Sequence, residues 1–194
     1  LSVSGEIWET RLYGRQLSLV RTISTGLYNR TIKITDKVTN HGLEEEPFML
    51  LYHINFGYPL LDASSMVVSS AATIQPRSKH SVDWAHMNAP GSEPPHQQFL
   101  HTMKDRFAQV GVINESLHLA ARIEFETENL PYLCEWKHLA PHDYVVALEP
   151  CNCTVLGRVK ERKNGTIKTL LPYSSITNIL TLAVMDDEAE IQDF

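Results

Sequence analysis

Period-two alternation of apolar and polar residues runs through most of this chain, and it limits the fold more than any other feature. In "RTIKITDKVTN" (30–40), Ile32, Ile34 and Val38 fall on one side, while Thr31, Lys33, Thr35, Lys37 and Thr39 fall on the other. That spacing suits a strand with one buried face and cannot form the stripe of an amphipathic helix. The opening "LSVSGEIWETRLYG" alternates in the same way, as does "QLSLVRTIS" (16–24), with "GLYN" (26–29) as a turn. Further strands are expected in "FMLLYHINFGYPLLD" (48–62), "SMVVSSAATIQP" (65–76) and "SLHLAARIEFETENLP" (116–131). In the last of these, Leu117, Leu119, Ala121, Ile123 and Phe125 share a face. "YLCEWKHL" (132–139), "YVVALEP" (144–150), "TVLGRVKE" (154–161) and "SITNILTLAVM" (175–185) complete the set. Many short strands separated by turn residues imply a mostly β protein, a sandwich or larger sheet assembly. The best short helix is "HQQFLHTMKD" (96–105), and "RVKERKNG" (158–165) reads as a solvated strand end and turn.

One segment lacks a period. "DWAHMNAPGSEPPHQQ" (83–98) is rich in Pro, Gly and His and reads as a long loop. Such loops on sheet scaffolds often carry binding groups. Its Trp84, His86 and His96 either line a pocket or serve as loop anchors.

The chain has 194 residues, enough for one domain with a substantial core, expected to span 1–194. A formal net charge of -6 and scattered basic residues give no nucleic-acid footprint. No run approaches the roughly 18 to 20 apolar residues of a membrane helix, and Leu1 opens straight into a strand pattern with no signal peptide. The three cysteines, Cys134, Cys151 and Cys153, do not make a disulfide framework. The expected setting is therefore the cytoplasm, without a membrane or nucleic-acid partner. Cys151–x–Cys153, with His138 and His142, is too sparse for a zinc site. No glycine-rich phosphate loop is present, so neither a metal nor a cofactor is expected.

Polar residues embedded in apolar strands are the candidates for chemistry. In "LLYHINFGYPLL" (50–61), a period of two puts Met49, Leu51, His53 and Asn55 on one face, and Leu50, Tyr52, Ile54 and Phe56 on the other. Buried imidazoles and amides are costly unless bonded, so His53 and Asn55 belong either to a satisfied core network or to a polar pocket. Glu149 ends the apolar run "VVALEP". It is either a strand-end carboxylate bonded to turn N–H groups or, with its pKa raised by burial, a base. Paired across strands, His53 and Glu149 would form a general acid–base pair lining one cavity, with side-chain tips about 5 to 8 Å apart. In "LPYLCEWKHL" (130–139), Glu135 and Lys137 share a face and Trp136 points the other way. These three would suit a sugar ring, through stacking and hydrogen bonds, or form a surface ion pair beside a core tryptophan.

Together "FMLLYHINFGYPLLD", "LPYLCEWKHL" and "DYVVALEPCNC" (143–153) resemble the aldose 1-epimerase-like family, in its bacterial branch of sugar mutarotases. The resemblance implies a galactose mutarotase-like fold, an antiparallel β-supersandwich, of which this chain would be the carboxy-terminal two thirds. It implies a cofactor-independent isomerase acting on a small-molecule carbohydrate. By the same resemblance His53 would protonate and deprotonate the ring oxygen and Glu149 would act as base on the anomeric hydroxyl. Asn55, Glu135, Trp136 and Lys137 would contact substrate. The branch more often has Gln at the position of Glu135 and Gly at that of Cys151. Its amino-terminal sheet region, with a glycine-rich turn, has no counterpart in these 194 residues. A non-catalytic carbohydrate-binding domain, or an isomerase or lyase of a modified sugar, would use the same scaffold.

Overall fold

The computed structural model describes residues 1–92 and 96–194. Strands β1 (Ser2–Thr10), β2 (Gln16–Ser24) and β3 (Thr31–Asn40) open the chain. They are followed by the short β4 (Glu46–Phe48), β5 (Ile54–Phe56), β6 (Ser65–Ser69) and β7 (Thr73–Pro76). The central run comprises β8 (His96–Thr102), β9 (Phe107–Asn114), β10 (Leu119–Glu126), β11 (Tyr132–Leu139) and β12 (Tyr144–Cys151). Helix α1 (Arg158–Asn164), strands β13 (Lys168–Leu170) and β14 (Ser175–Met185), and helix α2 (Glu188–Gln192) close it.

Every strand pairing is antiparallel. A seven-stranded sheet in the order β1-β2-β3-β14-β10-β9-β6 packs on a five-stranded sheet in the order β5-β12-β11-β8-β7, with β13-β4 as a two-stranded annex. Val67, Val110, Val112, Ile123, Phe125 and Leu180 from the large sheet meet Leu133, Leu139, Val146 and Leu148 from the small one. That interleaving of inward-facing residues is what alternation on both sheets produces. On the far side of the large sheet, Ile113, Ala120 and Met185 are covered by Ile191 and Phe194 at the carboxy end.

Four local expectations change. Residues 96–102, expected as the start of a helix over 96–105, form β8. Gln97, Phe99 and His101 all point inward and are buried, so polar residues at core positions hide the alternation, and pairing with β7 and β11 decides the conformation. Residues 158–164 form α1, not a strand end. "RVKERKN" holds good helix formers, and Gly165 ends it in the left-handed region (φ 70°). Of the expected strand over 50–61, only Ile54–Phe56 forms a strand, and Leu51 adds an isolated bridge to Cys151. On β3 the inward face carries Asp36 along with Ile34 and Val38, whereas Ile32, expected on that face, is exposed at the strand's outer end. The buried Asp36 carboxylate accepts two bonds from the Arg21 guanidinium, at 2.8 and 2.6 Å. Within the expected loop 83–98, residues 93–95 lie outside the described residues. The rest runs irregularly as far as β8.

Candidate functional site

The outer face of the five-stranded sheet carries a cleft of about 520 Å³. Its floor follows from register. Cys134 lies opposite Glu149, and Trp136 lies opposite Ala147 on one side and Gln98 on the other. Residues directly opposite in an antiparallel ladder share a face. Cys134, Trp136, Gln98 and Glu149 therefore all look outward, and all four line the cleft.

The same logic places His53. Leu51 bridges to Cys151 and Ile54 pairs with Leu148. Continuing that register sets His53 directly across from Glu149. Cross-strand partners have Cβ atoms only about 5 Å apart, and His53 Nε2 stands 2.9 Å from Glu149 Oε1. The expected separation of a ring's width is thus corrected to direct contact. Alternation alone names the shared face but carries no register between strands. The Glu149 side chain is 7% exposed and that of His53 49%. Burial pushes the Glu149 carboxyl above its ordinary range, and the neighbouring His53 and Cys134 offset part of the rise. Cys134 itself is pushed up to about 12, chiefly by burial and then by the Glu149 charge.

Trp136 forms an aromatic wall. His53 meets it edge-on at 6.3 Å between centroids, His138 lies parallel to it at 5.8 Å, and His96 sits at 6.3 Å. His96 and His138 also contact each other, Nδ1 to Nδ1 at 3.0 Å. Asn55 is exposed on the same outer face, opposite Ala147, beside the cleft and not among its lining residues.

Glu135 and Lys137 are not at the cleft. Alternation about Trp136 turns both inward, where they are wholly buried between the sheets. Glu135 Oε2 lies 2.8 Å from His101 Nε2, whose Nδ1 is 2.9 Å from Ser69 Oγ. Lys137 Nζ lies 3.4 Å from Glu135 Oε1, an ion-pair distance without hydrogen-bond geometry, and donates to the Asp83 and His86 carbonyls at 2.8 and 3.0 Å. The expected substrate contacts of these two residues are replaced by a core network that pins the 83–86 segment behind the site. Trp84 packs into the core, and exposed His86 pairs with Asp83.

Sequence reasoning did not find Arg77, Gln98, Val155 or Leu156, which also line the cleft. Val155 and Leu156 belong to a turn organised by Glu161. Its buried carboxylate accepts from Thr154 Oγ1 at 2.5 Å, from the Leu156 N–H at 3.1 Å and from the Thr166 hydroxyl. Burial raises the Glu161 pKa, but these hydrogen bonds outweigh it and the carboxyl lies below its ordinary range. Glu161→Ala should cost about 1 to 3 kcal/mol in urea unfolding, because it orphans buried donors. A depressed carboxyl contributes stability above its unfolded pKa and loses it as pH falls through the folded pKa. The gap between wild type and variant should therefore close on acidification; a gap independent of pH would contradict this account of Glu161.

Among the described residues, no group of three or more His, Cys, Asp and Glu side chains is arranged to hold a metal ion. No helix among them is long and apolar enough to cross a membrane.

A crystal structure of a candidate aldose 1-epimerase from Klebsiella pneumoniae matches with a TM-score of 0.93 and 22% identity, over 99% of this chain and 52% of the other. A galactose mutarotase-like protein from Clostridium acetobutylicum matches at 0.71 and 17%, over 96% and 63%. A galactose mutarotase related enzyme from Lactobacillus acidophilus matches at 0.71 and 13%, over 95% and 68%. The chain thus spans about half the length of the Klebsiella protein. At these identities the likeness is one of fold. No curated protein matches. A family model described as "Domain of unknown function (DUF4432)" matches residues 1–184. The chain is a member of the DUF4432 family, and it carries the aldose 1-epimerase-like, galactose mutarotase-like β-sandwich fold.

Proposed function

We propose that this protein interconverts the anomers of a free sugar, with Glu149 as base and His53 as acid. The observation that supports this most is the direct His53–Glu149 pairing in an open cleft beside Trp136. Ring opening removes a proton from the C1 hydroxyl and adds one to the ring oxygen, and both oxygens are bonded to C1. An acid and a base in contact can therefore serve both oxygens with a small outward swing of the half-exposed imidazole. Glu149 takes the proton from the C1 hydroxyl while His53, as imidazolium, gives one to the ring oxygen. The C1–ring-oxygen bond breaks, leaving the open-chain aldehyde. Rotation about C1–C2 presents the other carbonyl face, and the same proton transfers in reverse close the opposite anomer. Each group is expected to supply about 10²–10⁴-fold.

Glu149 serves as base only when ionised, so burial that raises its pKa also strengthens it as a proton acceptor. Trp136 offers an indole face for the C–H side of a pyranose. The test uses the intact protein and freshly dissolved α- and β-aldoses, followed by polarimetry. Acceleration of at least one aldose is expected, and Trp136→Ala should raise its KM about tenfold with a smaller change in kcat. Saturable sugar binding without acceleration of any aldose would replace this reading with a carbohydrate-binding module. Cytoplasmic location and the chain's place as the carboxy-terminal two thirds of a larger mutarotase-like domain belong to the same proposal.

A further inference from the structure

One cation in the cleft has no part in the proton transfers. Arg77 follows directly on β7, and its N–H bonds the Gln98 carbonyl at 2.8 Å, which continues the β7–β8 register by one residue. That register puts Arg77 on the outward row Arg77–Gln98–Trp136–Ala147–Asn55, so its side chain enters the cleft from the edge opposite His53. The guanidinium donates to the Thr154 carbonyl through Nη2. A guanidinium carries five N–H donors, so this bond leaves most of them uncommitted. Among the described residues, no carboxylate lies within ion-pair distance of it. Other buried or half-buried cations of this chain do have carboxylate partners: Arg21 has Asp36 and Lys137 has Glu135. Arg77 is itself half-buried, so its charge is partly desolvated without a counterion.

The spacing is informative. Glu149 on β12 and Arg77 beside β8 are separated by three strand steps of about 4.8 Å and by two residues along the strands, roughly 16 Å between backbones. Long side chains reach inward from both ends, with Trp136 and Gln98 between them. The remaining gap suits a hexose whose C1 lies at Glu149 and whose far end lies at Arg77. A planar fork of N–H donors there pairs bidentately with a carboxylate or phosphate and more weakly with a neutral hydroxyl.

We infer that the cleft selects sugars bearing an anionic group at the end remote from C1, a uronate or a sugar phosphate, through the Arg77 guanidinium. This rests on the anomerisation reading and names its substrate class. The Thr154 bond has a competing consequence, since Arg77 also fastens the turn that carries Val155 and Leu156. A purely fastening role would affect every sugar alike, and this separates the two.

The experiment measures kcat/KM for anomer equilibration by the intact protein with gluco-, galacto- and manno-configured neutral hexoses, the corresponding uronates and the corresponding 6-phosphates. In wild type, at least one anionic series should exceed its neutral counterparts by about 10- to 100-fold. The uronate and phosphate arms say which anion is read. In Arg77→Gln that ratio should collapse toward one, mainly through KM, and Arg77→Lys should restore part of it. If wild type shows no preference for anionic over neutral sugars, or if Arg77→Gln lowers all of them by the same factor, the inference is overturned while anomerisation stands. If no sugar equilibrates faster, anomerisation falls, and calorimetric titration of the same panel decides Arg77 separately. Anionic sugars that bind wild type and not Arg77→Gln sustain the inference, and equal or absent binding of them overturns it.

Discussion

Glu149→Gln should slow anomer equilibration by about 10²-fold or more while leaving the protein at least as stable as wild type at neutral pH. The two halves of this result have one cause. Glu149 is nearly buried, and burial raises its pKa against the pull of His53 and Cys134. A carboxyl whose folded pKa is raised contributes stability in full below its unfolded pKa. That contribution is lost as pH rises through the folded value. Ionised Glu149 is therefore a cost to the fold at neutral pH, and the isosteric amide removes that cost along with the base. Thermal unfolding of wild type and variant should agree best at acidic pH and diverge, in the variant's favour, as pH rises. The activity of wild type should fall on the acid side at a higher pH than an ordinary carboxylate would dictate. A variant that is markedly less stable at neutral pH would mean that the carboxylate holds the strand in place, and the loss of rate would then carry no mechanistic meaning.

Lys137→Met should destabilise the protein by about 3 to 5 kcal/mol, the range for removing one partner of a buried ion pair. Lys137 is wholly enclosed, and burial lowers its pKa while Glu135 opposes the shift. Removing the ammonium leaves the Glu135 carboxylate with His101 alone and strips the Asp83 and His86 carbonyls of a shared donor. The companion variant, Lys137→Met with Glu135→Leu and His101→Leu, replaces the whole buried cluster by apolar residues and should recover much of that loss. Urea denaturation of the two proteins measures both numbers. A loss below about 1 kcal/mol for Lys137→Met would show that Glu135 finds solvent or a new partner, and that the network does not pin the 83–86 segment. The cluster lies directly behind Trp136, on the reverse of β11, so its failure would also be felt at the aromatic wall.

What the sequence discloses about this site follows the physics of a strand. His53 and Glu149 stand out because each is a polar group in an otherwise apolar run. The opposite facing of Trp136 and of Glu135 with Lys137 is written in the period of two. Register between strands is not written there. The direct contact of His53 with Glu149, and the row that brings Gln98 and Arg77 to Trp136, depend on pairings between segments far apart in the chain. Strand β8 escaped detection for a related reason: Gln97 and His101 occupy core positions because the Val82 N–H, Ser69 and Glu135 are there to bond them. The substrate contacts expected of Glu135 and Lys137 conflict with their own alternation on β11. Once Trp136 faces the cleft, its neighbours on β11 must face the core.

Two-dimensional exchange NMR on α- and β-anomeric protons, with the intact protein added in catalytic amount, tests the central claim most directly, because it reads interconversion at equilibrium. The account predicts exchange cross-peaks, for at least one sugar of the neutral, uronate and 6-phosphate series, that grow with protein concentration and vanish with Glu149→Gln. If the wild-type protein binds a sugar saturably and its anomers exchange no faster than in buffer, Glu149 and His53 are not an anomerising pair.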